Sequence, residues 1–239
     1  GVSAASEYVC ESIQAGRGGR VATPNFQMMA VAKKNPPIRQ LLSGFEISLC
    51  DSQFVFLVAR MAGYRIPERV AGADFLPHLL AAANKHGLRL AILGGASGDI
   101  ARALSVIQAR TPSIEFVGAF NPEFDLATWE LWAHKFAKFL ADARPQIVVM
   151  SFGFPKQEYL SSFLFQRFPR MWFINIGAGL HFLGSPENRA PLALQKMGFE
   201  WLHRFASEPK RLFRRYAIIY PTYLIPFLRA VLARKSVSW

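Results

Sequence analysis

Short apolar runs alternate with longer segments of helical length along most of the chain. The helical segments include residues 74–86, 99–110, 126–143 and 156–167. Within the apolar runs the residues do not alternate with polar ones, a pattern typical of strands buried on both faces. Because strands alternate with helices, we predict the α/β class, with a Rossmann-like parallel sheet flanked by helices. The six predicted strands lie in GRVATPN, FEISLCD, LRLAILGG, IEFVGAF, QIVVMSFG and MWFINIGAG.

The pattern changes near residue 189, where a basic and aromatic tail begins. Between residues 196 and 235 the chain has nine Lys or Arg and two Glu, so this stretch carries +7 of the formal net charge of +12. We therefore predict two parts. Residues 1–190 form the α/β core, and residues 191–239 form a basic, aromatic, helical appendage that associates with a membrane.

The excess of positive charge predicts an anionic partner, such as nucleic acid, an anionic membrane surface or a phosphorylated substrate. The aromatic residues of the tail and its apolar run at residues 216–233 favour a lipid surface over nucleic acid. Pro221, Pro226 and Arg229 interrupt that run, so we expect it to lie on a membrane rather than cross it. The alternative is a charged helix that packs its apolar side on the core.

Polar or glycine-bearing turns follow the predicted strands, at residues 23–25, 51–52, 94–95, 153–158 and 177–181. Open parallel sheets bind ligands outside the carboxyl ends of their strands. In a parallel sheet these turns meet at one edge. Residues far apart in the sequence then share one cleft.

Two of these turns have both a structural and a functional interpretation. Gly94 and Gly95 precede a predicted helix, whose first backbone amides bind phosphate well, but glycines also serve simple tight connections. Asp51 is a favoured N-cap for the helix after it, and equally a carboxylate that can act as a general base. The sequence leaves both pairs of interpretations open.

The segment FGFPKQE favours a function more strongly. Gly153 permits a sharp bend, and Pro155 fits the first turn of a helix. Lys156, Gln157 and Glu158 then cluster at a helix start on the predicted ligand-binding edge. The alternative is a capped helix whose polar residues are solvated.

Other residues limit the kinds of ligand and reaction that the sequence supports. Arg69 is either a surface charge or a guanidinium that holds phosphate, and Asp74 is a candidate helix cap. The five histidines show no metal-ligand spacing, and no Asp-x-Asp pair occurs among the five aspartates. We therefore predict no metal and no cofactor, and expect cationic side chains to stabilise a bound diphosphate. Neither a Gly-x-Ser-x-Gly motif nor a Walker A loop occurs, so esterase and P-loop functions have no support.

In their order and spacing these segments resemble the bacterial WecG/TagA/CpsF glycosyltransferases. That family includes the teichoic-acid N-acetylmannosaminyltransferase and the enterobacterial common antigen N-acetylmannosaminuronic acid transferase. The resemblance covers about residues 21–215. The segments that carry it are TPN, CD before a helix, RVAGADF, LGG, FGFPKQE, GAG, RAP and GFEWLHRFASEPKRLFRR.

The resemblance implies an inverting, metal-independent enzyme that moves a sugar from a UDP-sugar to a saccharide on undecaprenyl diphosphate. It implies a peripheral protein at the cytoplasmic face of the bacterial inner membrane, with residues 1–190 as the catalytic core. It also implies Asp51 as the general base, with Thr23, Arg69 and Gln157 as further catalytic residues. The tail arginines would close over the site and neutralise the nucleotide diphosphate. The expected substrate-binding residues are Asn25, Gly94, Gly95, Gly153, Lys156, Glu158, Arg204, Arg211 and Arg214.

Three segments depart from the family pattern. Ser52 follows Asp51 where the family usually has Gly, and FNPEF replaces Gly-Tyr-Phe. The segment GAGLHFLGSPENRAP is short and lacks the aspartate often found after its Phe. These turns border the expected sugar pocket, so glucose, N-acetylmannosamine and their uronic acids are all candidate donor sugars. We slightly favour UDP-glucose and exopolysaccharide assembly.

Two other classes of protein are alternatives. A non-catalytic basic module that binds anionic lipid or nucleic acid would use Asp51 as a helix cap and the glycines as turns. A nicotinamide-dependent oxidoreductase needs an acid at the end of the strand after the glycines, but IEFVGAF has only Glu115, near its start. The expected partners are the UDP-sugar, the polyprenyl-diphosphate-linked acceptor and an anionic membrane surface, with no nucleic acid. A homo-oligomer is left open.

Overall fold

A computed structural model describes residues 1–123, 125, 128–196, 200–207, 209 and 213. Within this part of the chain one sheet is present, and each of its strands runs parallel to its neighbours. The strands are β1 Gly19–Ala22, β2 Ile47–Ser48, β3 Arg89–Gly94, β4 Glu115–Phe120, β5 Ile147–Ser151 and β6 Trp172–Asn175. Their order across the sheet is β2-β1-β6-β5-β3-β4.

Helices connect the strands and cover the sheet. A short 3-10 turn, Pro186–Asn188, follows the helix Gly179–Gly184. The helices of the described residues are α1 Val2–Gln14, α2 Phe26–Lys34, α3 Pro36–Ser43, α4 Gln53–Met61, α5 Gly72–Asn84, α6 Ser97–Arg110, α7 Trp129–Ala143, α8 Lys156–Arg167, α9 Gly179–Gly184, α10 Leu192–Lys196 and α11 Glu200–Ser207.

The central strands are buried on both faces, as β6 shows. Trp172 and Ile174 pack into one apolar cluster, which includes residues of α1, α5 and α6. Phe173 points the other way, into a second cluster formed with α7 and α8. Successive side chains of a strand face opposite sides of a sheet, so a strand covered on both sides must be apolar at every position. This explains the unbroken apolar runs in the sequence.

The predicted α/β class and the Rossmann-like parallel sheet are confirmed. The extended chain continues beyond the two residues of β2, because the Leu49 amide donates to the Ala22 carbonyl at 2.9 Å. Three helices that the sequence pattern did not predict, α1 to α3, pack beside the sheet. α3 begins with Pro36 in its first turn and is capped by the Asn35 side chain.

The predicted appendage is described only in part. Its described residues form α10 and α11 and include residues 209 and 213, whereas the rest of residues 191–239 lies outside the described chain. The apolar run at residues 216–233 belongs to that remainder. The boundary at residue 190 therefore stays a prediction.

Candidate active site

A cavity of about 1110 Å³ opens at the carboxyl edge of the sheet, above the ends of β1, β3, β5 and β6. This is the edge at which open parallel sheets bind ligands. The turns that were expected to share a cleft do share this one. The predicted site residues that line it are Thr23, Asn25, Asp51, Gly95, Gly153 and Gln157.

Asp51 is held beside the end of β1 by its own backbone. Its amide donates to the Pro24 carbonyl at 3.3 Å, which extends the pairing of β1 and β2 past the last strand residues. The helix after it is capped by Ser52, whose hydroxyl accepts from the Val55 amide at 3.3 Å. Ser52, and not Asp51, therefore caps α4, and Asp51 is half-buried and lines the cavity.

Thr23 and Asn25 are ordered by contacts with the backbone. The buried Thr23 hydroxyl donates to the Asn175 carbonyl at 3.0 Å, so β1 and β6 are joined just below the cavity. The Asn25 side-chain oxygen accepts from the amides of Gln27 and Met28 and caps α2. Both residues thus have structural roles as well as a place in the cavity wall.

The FGFPKQE turn contributes Gln157 to the cavity. Its side-chain oxygen accepts from the Gly177 amide at 3.2 Å, and its side-chain nitrogen donates to Glu158 at 2.9 Å. Glu158 itself is 0% exposed and does not line the cavity, and neither does Lys156, the first residue of α8. Burial raises the pKa of Glu158 to about 7, although the Gln157 amide and its own backbone amide favour the charged form.

The glycine turn after β3 is tightly enclosed. Gly94 and Gly95 have φ values of +82° and +85°, which strongly favour glycine. A side chain on Gly94 would collide with the Phe152 ring at 2.7 Å. Asn121 donates to the Gly95 carbonyl at 3.2 Å and braces the turn. The turn thus brings the start of α6 to the cavity, lined there by Gly95 and by Asp99 from the first turn of the helix.

Arg69 lies in a network of alternating charges. Its guanidinium is 3.5 Å from the carboxylate of Asp74 and 3.6 Å from that of Glu200. Arg189 completes the ring, at 2.6 Å from Asp74 and 3.4 Å from Glu200. Arg69 also donates to the Asp51 backbone carbonyl at 3.5 Å. It does not itself line the cavity.

The network keeps these groups charged. Burial would raise the pKa of Asp74, but hydrogen bonds and charge from Arg189, with help from Arg69, lower it below its ordinary value. Burial likewise opposes the charge of Arg189, whereas Asp74 and Glu200 raise its pKa. Asp74 was a candidate helix cap, but the cap position of α5 belongs to Ala71. Asp74 instead connects the core to the part of the chain that leads into the tail.

Sequence reasoning missed a second polar group in the cavity wall. His181 Nδ1 lies 2.9 Å from Asp99 Oδ1, and His181 Nε2 lies 3.3 Å from the side-chain nitrogen of Asn188. Burial would raise the pKa of Asp99, but hydrogen bonds from His181 and Arg102 lower it. In the sequence His181 shows no metal-ligand spacing, and its partner Asp99 is 82 residues away. Only the sheet topology brings the two together.

Several expected residues have no described side chain. Arg204 belongs to α11, but its side chain lies outside the described part of the structure, as do Arg211 and Arg214 entirely. Their roles stay predictions. His203, from the same helix as Arg204, does reach the cavity wall. The start of the tail therefore lies against the cavity.

Among the helices of residues 1–123, 128–196 and 200–207, none is long and apolar enough to span a membrane. In the same part of the chain, no group of three or more His, Cys, Asp or Glu side chains is placed to hold a metal ion.

A polar cavity at the carboxyl edge of a parallel α/β sheet lies where such sheets bind their ligands. The model of the glycosyl transferase WecG/TagA/CpsF family matches residues 2–237 of the 239 residues. The chain belongs to this family of glycosyltransferases. Membership implies a sugar donor and an acceptor, and it confirms the resemblance found in the sequence.

Proposed function

We propose that this protein transfers a sugar from a UDP-sugar to a saccharide on a polyprenyl diphosphate, with inversion and without a metal ion. The observation that carries the proposal is the place of Asp51. Asp51 lines the cavity together with Gln157 and the Gly95 turn, while Ser52 caps the next helix. A carboxylate at this position suits general-base catalysis.

Two other acids of the described residues, Asp99 and Glu187, line the same cavity, so the choice of Asp51 needs an argument. Asp99 is paired with His181 and Arg102, and its lowered pKa makes it a weaker base. Glu187 is exposed, in the short 3-10 turn. Asp51 is half-buried and lies next to the TPN turn, where an acceptor can be shielded from water.

In the proposed reaction, the Asp51 carboxylate takes the proton of an acceptor hydroxyl as its oxygen attacks the anomeric carbon of the donor. A new carbon–oxygen bond forms on one face of the sugar, and the bond to UDP breaks on the other. UDP leaves with the bonding electron pair and its negative charge. One base and one attack give inversion.

The charge on departing UDP requires stabilisation. Amides at the start of α6 are one source, but Asp99 in the first turn of that helix opposes an anion there. Cationic side chains from elsewhere in the chain must then stabilise most of the negative charge on UDP. The tail arginines Arg204, Arg211 and Arg214 are the candidates, since α11 already lies against the cavity through His203.

The same tail supports a location of the protein at the cytoplasmic face of the bacterial inner membrane. Each Lys or Arg near an anionic lipid surface contributes about 1 kcal/mol, and residues 196–235 have a net charge of +7. A tail that closes the cavity only at a lipid surface would also keep water from hydrolysing the donor. This arrangement fits a peripheral enzyme with a catalytic core at residues 1–190. A homo-oligomer stays a prediction.

The donor sugar is proposed as glucose, in exopolysaccharide assembly, with N-acetylmannosamine and the uronic acids of both sugars as the other candidates. His181 and Asn188 support a change of donor within the family. Both belong to the segment that departs from the family pattern, and both line the cavity. Their polar atoms can bind sugar hydroxyl groups.

The proposal is tested by incubating the protein with a panel of UDP-sugars and a polyprenyl-diphosphate-linked sugar acceptor, and by measuring product mass. We expect one UDP-sugar to add one hexose-type residue to the acceptor. The alternative, a non-catalytic basic module that binds anionic lipid or nucleic acid, predicts no product from any donor.

A further inference from the structure

Glu158 is a buried acid that the proposed reaction does not use. It lies in the first turn of α8 with its side chain 0% exposed, and one carboxyl oxygen accepts from the Gln157 side chain at 2.9 Å. The other oxygen, Oε2, is buried and has no hydrogen-bond partner among the described residues. A carboxylate in this state lacks solvation on one side, which is costly.

The accepting oxygen of Glu158 determines which way the Gln157 amide points. Gln157 has one accepting atom and one donating group at the end of its side chain. Because Glu158 accepts from the nitrogen, the Gln157 oxygen is left to accept from the Gly177 amide. With the amide reversed, its nitrogen would face the Gly177 N–H, donor against donor. Glu158 thus orients Gln157, which lines the cavity, although Glu158 itself does not line it.

A second orphaned oxygen lies on the same face of the sheet. Asn175 follows Phe173 by two positions in β6, so its side chain points towards the face that α8 covers. Its nitrogen donates to the Val21 carbonyl at 3.0 Å, and its Oδ1 is buried without a hydrogen-bond partner among the described residues. A proton on Glu158 would turn one of these two acceptors into a donor.

Among the described residues, no nearby cation favours the charged form of Glu158. Burial is the largest influence on its pKa, and the other influences are hydrogen bonds from Gln157 and its own backbone. α8 packs against β1, β5, β6, α3 and α7. On β1, Arg20 reaches Ser162 of α8 but is paired with Glu46. The remaining titratable groups on these elements are exposed on α3 and α7 or lie on α8: Arg39, Glu130, His134, Lys135, Lys138, Asp142, Lys156, Tyr159 and Arg167.

We propose that Glu158 is a positioning residue that works as a neutral carboxylic acid. Its carbonyl oxygen accepts from Gln157, its hydroxyl donates to Asn175, and the Gln157 oxygen is thereby held on the Gly177 amide at the cavity. This proposal rests on the proposed function for its kinetic consequence only. The protonation itself is a property of the folded chain.

The first test is infrared difference spectroscopy of the wild type against Glu158→Gln at about pH 6, where the acid should be mostly protonated. We expect the carbonyl band of a protonated carboxyl group in the wild type, lost in the variant and unchanged in the exposed control Glu130→Gln. The absence of that band from the wild-type spectrum would overturn the proposal. This result does not depend on any UDP-sugar being turned over.

The second test is the pH profile of kcat/KM for sugar transfer. The wild type should lose activity as pH rises through about 7, because deprotonation removes the donor to Asn175. Glu158→Gln resembles the neutral acid and should retain activity at about pH 8.5. Glu158→Ala should instead lose activity by roughly tenfold or more at every pH. A wild type that gains activity above pH 7 while Glu158→Gln is inactive would show that the charged form is needed. Inactivity of the wild type itself, with the infrared band present, would contradict only the proposed function.

Discussion

The guanidinium of Arg69 lies 3.6 Å from the carboxylate of Glu200, and this ion pair joins the core to the first residue of α11. Arg189 and Asp74 close the ring of charges. The family resemblance implied a catalytic or binding role for Arg69. The structure adds a mechanical role, because the same side chain also contacts the backbone of Asp51. Asp51 and the start of the basic tail are therefore linked through one residue.

Glu200→Gln should loosen α11 without unfolding the core. Glu200 and Arg189 are nearly buried, and removal of one charge leaves the partners poorly compensated, at a cost of about 1 to 3 kcal/mol. We expect faster trypsin cleavage after residue 196, by about tenfold, and weaker transfer. The exposed pair Arg89–Glu115 provides the control, since Glu115→Gln should change neither. Equal cleavage rates for the two variants would contradict the proposed link.

His181→Ala should change the choice among donors more than the affinity for the nucleotide. The His181 ring is fixed by Asp99 and Asn188 at the cavity wall, where it can contact a sugar. We expect the ratio of kcat/KM for two UDP-sugars to change by about tenfold, since loss of a buried hydrogen bond has this scale. UDP binding, measured by calorimetry, should change by less than about threefold. His134→Ala, at an exposed position of α7, is the control. An unchanged donor ratio would remove His181 from the specificity argument.

The pH dependence of thermal stability should differ between the wild type and Glu158→Gln, because only the wild type has the buried acid. The folded chain raises the pKa of Glu158 from 4.5 to about 7, so its neutral form is favoured by folding. Wild-type stability should therefore fall as pH rises from about 4.5 to about 7, by on the order of 3 kcal/mol, and not fall further through this group. Glu158→Gln lacks that decline, so the variant should be more stable than the wild type at about pH 8. Parallel stability curves for the two proteins would show that the group does not change its protonation on folding.

The basic tail should provide membrane affinity without contributing to the stability of the core. A chain that ends after residue 207 keeps the ion-pair network but loses Arg211 and Arg214. We expect it to unfold at a similar temperature, to lose binding to vesicles of anionic lipid and to lose transfer. Binding of the full chain should weaken as salt increases from about 0.1 M to about 1 M. Full activity of the shortened chain would contradict the proposed closure.

The sequence predicted the sheet and its ligand-binding edge because both follow from local patterns. Apolar runs such as QIVVMSFG mark strands covered on both faces, and a parallel sheet brings their carboxyl ends together. The pairing of His181 with Asp99 and the ring around Arg69 were not predictable in this way. They depend on which strands become neighbours in the sheet and on where the start of a helix lies. Neither of these produces a recognisable residue spacing in the sequence.

The alternative roles of Asp51 show the same limit. The sequence permits either a helix cap or a base, because Asp51 and Ser52 are both good caps and adjacent. The hydrogen bond of Ser52 to Val55 distinguishes the two residues. Glu158 shows the opposite case. Its position in a polar turn predicted a substrate contact, whereas the packing of α8 on the sheet buries it completely.

The central claim is tested most directly by Asp51→Asn, compared with the wild type and with the exposed control Asp142→Asn. Transfer from the UDP-sugar to the lipid-linked acceptor is measured by product mass, and UDP binding by calorimetry. We expect kcat to fall by about 10² to 10⁴ in Asp51→Asn, because the base is lost, while UDP binding and folding are kept. If Asp51→Asn instead transfers sugar at a rate within about threefold of the wild type, Asp51 is not the base and the proposed mechanism is wrong.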